Sequence, residues 1–186
     1  MDDVNVLVIF YSRTGRTERL GVLLAEGAIQ AGARIRLRRS RDVMPEELIA
    51  TDESWRSERN RMEKEFAAPR LEDVAWADVI AFGTPAAPGG LSVELGATLA
   101  QVGTMSRSEL AGKGATPFTS SYGTLPGAEL GISELQSRLL RLGFVTLPGP
   151  VEAAGVSNDT RDDYELARAH GRRVTAVGRA LKAVER

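Results

Sequence analysis

Cysteine is absent from this 186-residue chain, and histidine occurs once, as His170. The lack of cysteine excludes disulfides, thiolate metal sites and a cysteine nucleophile. A single histidine likewise excludes a histidine-rich metal site. No metal site is therefore expected, and any redox chemistry has to be supplied by a bound cofactor.

The chain also lacks an excess of either charge and any long apolar run. Its 24 Lys and Arg residues are offset by 25 Asp and Glu residues, so no overall field favours a nucleic-acid partner. No apolar run approaches the length of a membrane span, and no signal-peptide pattern is present. The composition predicts one globular domain over residues 1–186, with no membrane partner and a cytoplasmic location.

The most informative stretch lies near the start of the chain. Residues 4–10 (VNVLVIF) form a nearly continuous apolar run, which is typical of a parallel strand buried on both faces. The polar turn after it leads into a helix, where hydroxyls and amides meet the positive end of the helix dipole. Gly15 permits close approach of the backbone, so the turn predicts a phosphate site at Ser12, Arg13, Thr14, Gly15, Arg16 and Thr17. Serine and threonine also cap helices, and capping without a ligand remains an alternative for this loop taken alone.

The order of strand, polar loop and helix recurs twice further along the chain. Residues 77–82 (ADVIAF) predict a buried strand, followed by a turn rich in Gly and Pro and by a helix over 91–102. Residues 115–118 predict another strand, which leads through a polar loop into a helix over 128–142. A short strand at 144–147 and an amphipathic helix over 164–184 complete the chain. His170 is predicted to lie on the surface of that helix, because none of the three polar loops contains it.

Two segments between these units have a more polar character. Residues 33–39 (ARIRLRR) alternate charged and apolar residues, which predicts a half-exposed edge strand whose arginines form a solvated face. Gly27 and Gly32 are expected to loosen the end of the helix before it. Residues 44–69 predict an exposed excursion, in which Trp55 is a candidate anchor for self-association.

The alternation of strands and helices predicts an α/β fold. Its expected architecture is a doubly wound, five-stranded parallel sheet in three layers with strand order 2-1-3-4-5. In that order the first, third and fourth strands are neighbours. Their three polar loops therefore share one crevice at the carboxyl ends of the strands, where such sheets bind ligands.

Six motifs give the chain a resemblance to a known family. They are YSRTGRTE at 11–18, AEGA at 25–28, MPEEL at 44–48, FGTP at 82–85, FTSS with GT at 118–124, and LARAHGRRV at 166–174. In their order, the chain resembles the flavodoxin-like NAD(P)H:quinone oxidoreductases of the WrbA type, over nearly its whole length. The resemblance implies that residues 12–17 hold the phosphate of FMN. It further implies that one side of the flavin ring is lined by Thr84, Pro85, Ala86 and Ala87, and the other by Ser120, Ser121, Tyr122 and Gly123.

The resemblance implies an FMN-binding oxidoreductase that takes electrons from NADH or NADPH and passes them to a quinone-like acceptor. Its catalytic side chains are left unidentified. One alternative is a flavodoxin-type electron carrier, against which the near-neutral charge counts. Another is a flavodoxin-fold protein that has lost FMN and acts as an interaction module, because Ala87 and Pro88 stand where the family has an Arg and an aromatic residue. The segment before the last helix is also shorter than in the family, which favours a dimer over a tetramer as the homo-oligomer.

Overall fold

The computed structural model describes residues 3–86, 90–120, 125–149 and 161–184, with side chains at all of these except 125–128 and 161–163. In chain order the elements are β1 (Val4–Phe10), α1 (Arg16–Gln30), β2 (Ala33–Arg39), α2 (Glu46–Ile49), α3 (Glu53–Glu65), α4 (Leu71–Trp76), β3 (Val79–Pro85), α5 (Val93–Val102), α6 (Arg107–Leu110), β4 (Gly114–Ser120), α7 (Leu125–Leu142), β5 (Val145–Thr146) and α8 (Arg161–Val184). None of the described helices is both long enough and apolar enough to cross a membrane.

The five strands form one parallel sheet in the order β2-β1-β3-β4-β5, which confirms the predicted order. Successive residues of β1 point into two separate cores. Val6 and Val8 pack with residues of α1 and α8 on one face, whereas Leu7 and Ile9 pack with residues of α5 and α7 on the other. Because helices cover both faces of the sheet, the doubly wound, three-layer architecture is also confirmed.

The strands β3 and β4 continue beyond their predicted ends. The sequence predicts turns at these positions, yet Thr84 pairs with Thr119 and Pro85 with Ser120 in the parallel register. Gly83 permits the close packing at this point, since a Cβ there would lie 2.2 Å from Cζ of Phe118. Some residues predicted to lie in loops are therefore the last residues of two adjacent strands.

Two glycines bring α1 and α8 into backbone contact. A Cβ on Gly27 would lie 1.9 Å from the carbonyl oxygen of Arg168, and a Cβ on Gly171 would lie 2.0 Å from that of Leu24. The prediction that Gly27 loosens the end of the first helix is wrong, because α1 continues through it to Gln30. Gly27 is instead required for the close approach of the two helices.

The edge strand β2 lies where it was predicted, but only part of its arginine face is solvated, since Arg34 is exposed and Arg36 and Arg38 are partly buried. Arg36 and Arg38 bind the carboxylate of Asp73 at 3.0 and 2.7 Å, and that carboxylate is almost fully buried. The guanidinium of Arg36 also lies 4.2 Å from the ring centroid of Trp76. These basic side chains are paired with acidic partners of the same chain. The pairing supports the expectation that no nucleic acid binds here, which stays a prediction.

The segment predicted to be an exposed excursion contributes to the core. Trp55 and Met62 of α3 are 7% and 0% exposed, and Phe66 packs edge-on against Phe10 with ring centroids 5.1 Å apart. The interpretation of Trp55 as an exposed anchor for self-association is therefore wrong. A homo-oligomer, with a dimer favoured, stays a prediction that light scattering can check.

The only histidine of the sequence is buried, so the prediction of a surface residue is wrong. His170 is 5% exposed, and its Nε2 lies 2.9 Å from the hydroxyl oxygen of Thr116 in the neighbouring strand β4. Burial, with a smaller contribution from Arg173, lowers the pKa of His170 from 6.5 to about 4. The folded protein thus holds this ring neutral under mildly acidic conditions.

This lowered pKa predicts a loss of stability in mild acid. Between pH 6.5 and about 4 the unfolded chain binds a proton at His170 that the folded chain excludes. The free energy of unfolding therefore decreases as the pH is lowered through this range. The full loss across this window is about 3 kcal/mol. Urea unfolding of the wild type and His170→Gln between pH 4 and 7 measures it, because every other titrating group is common to both. Identical pH dependence in the two proteins would contradict this assignment.

Candidate functional site

Hydrogen bonds join the ends of β1, β3 and β4 at one edge of the sheet. The amide of Tyr11 donates to the carbonyl oxygen of Gly83 at 3.0 Å, and the amide of Ala86 donates to that of Ser120 at 2.7 Å. The hydroxyls of Thr17 and Ser120 lie 2.8 Å apart, which connects the first turn of α1 with the end of β4. The polar residues after these three strands are therefore neighbours, as the strand order requires.

A cavity of about 350 Å³ opens at this edge. The predicted site residues that line it are Ser12, Arg13, Thr14, Arg16, Thr17, Pro85, Ala86 and Ser120. Lining residues that were not predicted are Tyr11, Met44, Trp55, Ser92 and Glu94. Ala87, Ser121, Tyr122 and Gly123 lie outside the described residues. The cavity thus brings together parts of all three predicted loops and adds a wall from residues 44–55.

Gly15 and Thr84 were also predicted to belong to the site, but neither lines this cavity. Gly15 is the N-cap of α1, with a φ of 83°, and a Cβ there would face Glu18, Glu58 and Arg61. Thr84 is fully buried, and its hydroxyl oxygen accepts a hydrogen bond from the amide of Ser92 at 3.1 Å. Gly15 is the residue at which α1 begins, and Thr84 holds Ser92, the N-cap of α5. Both residues therefore affect the cavity only through these helix starts.

The start of α1 offers backbone donors without a side-chain cap. Because Gly15 has no side chain, it makes no capping hydrogen bond, and the first-turn amides depend on acceptors from elsewhere. The N-cap of α1 is thus a glycine and not a serine or threonine. A glycine in the left-handed conformation at the start of a helix suits the binding of an anion. The backbone N–H groups and the positive end of the helix dipole are then directed toward the same point.

A second, wider hollow of about 590 Å³ lies beside Gly15 on the outer side of α1. Its walls include an ion-pair cluster in which Arg61 binds Glu18 at 2.5 Å and Glu58 at 2.7 Å. We favour the smaller cavity as the functional site, because it lies where the three strand ends converge and its walls carry hydroxyls. Three charged side chains of the larger hollow, Glu18, Glu58 and Arg61, already pair with one another.

A buried carboxylate organises the wall that the sequence did not predict. Asp42 accepts hydrogen bonds at Oδ1 from the Tyr11 hydroxyl (2.8 Å) and the Trp55 indole (3.1 Å). Its Oδ2 binds Arg39 at 2.7 Å, and both of these side chains are at least 95% buried. The indole ring is covered on its outer side by Arg13, whose guanidinium carbon lies 3.8 Å from the ring centroid.

Asp52 connects this wall to the loop after β1. It pairs with Arg13 at 3.2 Å and caps α3 by accepting a hydrogen bond from the amide of Trp55 at 3.0 Å. The only local signal for this wall is a tryptophan three residues after an aspartate, a pattern that predicts a capped helix but not its contact with the cavity.

Two ionisable groups beside Asp42 have raised pKa values. Burial, together with the charges of Asp42 and Glu94, raises the pKa of Tyr11 far above its ordinary value. Burial also raises the pKa of Glu94, with a further contribution from the charge of Asp42. Since Glu94 is only 6% exposed and lines the cavity, it is the acidic group whose charge state is most sensitive to what enters.

Sequence comparison identifies relatives with one shared name, although no protein-family model matches the chain. NAD(P)H dehydrogenase (quinone) of Paracoccus denitrificans is 30% identical over 154 residues, covering 81% of this chain and 70% of the relative. The protein of the same name from Paraburkholderia phymatum is 30% identical over 156 residues, covering 83% and 75%. The chain belongs to the NAD(P)H dehydrogenase (quinone) family. A relative from Archaeoglobus fulgidus, 28% identical over 188 residues, matches 95% of this chain and 98% of its own length.

Solved structures agree with this family assignment at the level of the fold. A flavodoxin, WrbA-like protein from Agrobacterium tumefaciens superposes with a TM-score of 0.65 at 21% identity, covering 96% of this chain and 99% of that one. A flavodoxin from the domain Archaea gives a TM-score of 0.69 at 13% identity, covering 95% and 99%. The predicted flavodoxin-like fold is therefore confirmed.

The described residues fit a flavin nucleotide in three respects. The donor set at the start of α1 consists of backbone amides with the hydroxyls of Ser12, Thr14 and Thr17, which suits a phosphate group. The cavity volume lies within the range of cofactor pockets, roughly 300 to 1,000 Å³. Pro85 and Ala86 add flat, mainly apolar surface beyond these donors. No group of three or more His, Asp or Glu side chains that could hold a metal occurs in the described part of the chain.

Proposed function

We propose that this protein binds FMN and transfers electrons from NADH or NADPH to a quinone or a similar acceptor. One observation carries the proposal: the hydroxyl-rich loop after β1 lines a cavity at the carboxyl ends of β1, β3 and β4. Doubly wound sheets bind their ligands in this crevice. The relatives' shared name, NAD(P)H dehydrogenase (quinone), supports the choice of electron donor and acceptor.

Residues 12–17 are the proposed phosphate end of the site. Ser12 and Thr17 are each 1% exposed, so the surrounding protein holds their side chains in place. Arg13 and Arg16 bring positive charge to the same wall. Several charge-assisted hydrogen bonds of about 1.5 to 3 kcal/mol each would supply most of the roughly 8 kcal/mol that micromolar binding requires.

Pro85 and Ala86 are proposed to line one side of the flavin ring and Ser120 the other side. The flavin supplies the electron-transfer chemistry when it is bound, and the protein supplies position, exclusion of water and electrostatics.

Spectra and turnover separate this proposal from its alternatives. Purified protein is mixed with FMN, the free flavin is removed, and the visible spectrum is recorded. NAD(P)H oxidation is then followed with and without benzoquinone. We expect retained flavin absorbance and quinone-dependent oxidation. A flavoprotein without turnover would indicate the electron carrier, and failure to retain FMN would indicate the interaction module.

Gly15→Val is expected to weaken FMN binding by tenfold or more. The expected cause is the backbone, because φ is 83° and a β-branched residue in that conformation costs at least about 1 to 2 kcal/mol. The loop therefore relaxes away from the conformation that directs its amides toward the phosphate. Fluorescence titration with FMN, below the melting temperature of each protein, measures the change.

Gly32→Val is the matched control for this experiment. Gly32 has a φ of 82°, but it follows the C-terminal end of α1, at the opposite end of the helix from the cavity, and a Cβ there would lie 3.3 Å from a guanidinium nitrogen of Arg179. We expect a comparable loss of stability with unchanged FMN affinity. Equal FMN affinity in wild type and Gly15→Val would remove the phosphate assignment from this loop.

A further inference from the structure

One carboxylate of α7 holds the segment that connects β3 with α5. Glu134 accepts a hydrogen bond at Oε2 from the amide of Leu91, at 3.0 Å. Its Oε1 accepts from the guanidinium of Arg138, one turn later in the same helix, at 2.7 Å. The carboxylate therefore joins a segment that follows β3 to the helix that follows β4 in the chain.

The backbone at Gly90 leaves room for this contact. Gly90 has a φ of 85°, and a Cβ there would lie 2.5 Å from Oε2 of Glu134. One turn earlier in α7, a Cβ on Gly131 would lie 3.7 Å from the carbonyl oxygen of Gly90. A side chain at position 90 would thus push the carboxylate away in addition to straining the backbone.

The segment that Glu134 holds belongs to the cavity. Ser92 lines the cavity, and its amide donates to the hydroxyl oxygen of Thr84 at 3.1 Å. At the other end of the segment, the amide of Ala86 donates to the carbonyl oxygen of Ser120 at 2.7 Å. These two hydrogen bonds come from the ends of β3 and β4, whereas Glu134 reaches the segment from the layer of helices beside the sheet.

Glu134 makes this contact as a charged group. The hydrogen bond from the amide of Leu91, with a smaller contribution from Arg138, lowers the pKa of Glu134 below its ordinary value. A hydrogen bond to an ionised carboxylate is stronger than one between neutral groups. The Glu134 side chain is also 32% exposed, so replacing it leaves the buried core of the sheet intact.

We propose that Glu134 is a positioning residue, which fixes the segment between β3 and α5 as one wall of the cavity around the flavin ring. This inference rests on the proposed function and adds to it a residue that does not itself line the cavity. Without Glu134 the wall loses its connection to α7. The segment then has more conformational freedom to give up when the ring binds, and the affinity falls.

Dissociation constants for FMN and riboflavin test this role, because both ligands carry the ring and only FMN carries the phosphate. The variants are Glu134→Ala and Glu134→Gln, the second of which keeps an oxygen that can accept from the amide of Leu91. Glu129→Ala is the matched control, since it removes an exposed carboxylate from the same helix. Fluorescence titrations are made below the melting temperature of each protein.

Glu134→Ala is expected to weaken the binding of FMN and of riboflavin by the same factor, about tenfold, which corresponds to one hydrogen bond to a charged group. Glu134→Gln should stay within about threefold of the wild type, because only the partly exposed pair with Arg138 is weakened. Glu129→Ala should bind both ligands as the wild type does.

Gly90→Ala tests the same contact from the other side, and it also serves if Glu134→Ala does not fold. Its methyl group has to displace the carboxylate of Glu134, so weaker binding of both ligands is expected here as well. Because both substitutions act on one contact, the double variant should lose less affinity than the product of the two separate losses.

Unchanged affinity for both ligands in folded Glu134→Ala would overturn the positioning role and leave the proposed function intact. A loss for FMN alone would contradict it too, because the effect would then lie at the phosphate. Equal losses in Glu134→Ala and Glu134→Gln would mean that the hydrogen bond to Leu91 is not the cause. Failure of the wild type to bind either flavin would overturn the proposed function, and this inference with it.

Discussion

Gly27→Ala is expected to lower the free energy of unfolding by about 3 kcal/mol, since overpacking of this severity lies at the upper end of measured costs. The new methyl group would lie 1.9 Å from the carbonyl oxygen of Arg168, so α1 and α8 have to move apart. The neighbouring atom is backbone and cannot rotate away. Gly171→Ala, whose Cβ would lie 2.0 Å from the carbonyl oxygen of Leu24, should cost a similar amount.

Gly96→Ala is the control for this prediction. Gly96 also lies inside a helix, α5, but the nearest atom to its Cβ would be a side-chain carbon of Leu91 at 3.9 Å. A gain of about 0.5 to 1 kcal/mol is expected there, because alanine is the better helix former. Urea unfolding with linear extrapolation measures all three variants. Equal stability of Gly27→Ala and Gly96→Ala would mean that α1 and α8 are not in contact as described.

Asp42→Ala is expected to destabilise the fold by about 3 to 5 kcal/mol, the usual cost of removing one partner from a buried ion pair. The substitution leaves the guanidinium of Arg39, which is 1% exposed, without its counter-ion. It also removes the acceptor of the Tyr11 hydroxyl and of the Trp55 indole. Arg39 has few other groups to bind, because its Nε atom already lacks a hydrogen-bond partner.

Asp3→Ala is the matched control. Asp3 pairs at 3.7 Å with Arg34, which lies in the same strand, β2, as Arg39, but here both side chains are exposed. A change below about 1 kcal/mol is expected for such a surface pair. Tryptophan fluorescence and urea unfolding follow both variants. If Asp42→Ala proved as stable as Asp3→Ala, the cluster around Asp42 would not be the buried support that its burial indicates.

The strands and their order could be predicted from the sequence because each depends on a local pattern. Continuous apolar runs at the positions of β1 and β3 report burial on both faces, whatever lies against them. The alternation of charged and apolar residues in β2 identifies an edge strand. Polar residues directly after β1, β3 and β4 then had to meet, because the strand order makes those three strands neighbours.

Contacts between distant residues were decided by the tertiary structure alone. The sequence does not reveal that Asp42 binds Tyr11 and Trp55, or that Thr116 faces His170, since these partners belong to different elements. A histidine in an amphipathic helix can face water or the sheet, and the crossing of α8 over β4 decides which.

The same distinction applies to Gly27 and Glu94. In the sequence, the first is a weak helix former and the second a helical acid. Only the packing of α1 against α8 gives Gly27 its role, and only the convergence of strand ends places Glu94 in the cavity. Local sequence patterns record whether a residue is shielded from water, whereas the identity of the shielding partner depends on how distant elements pack together.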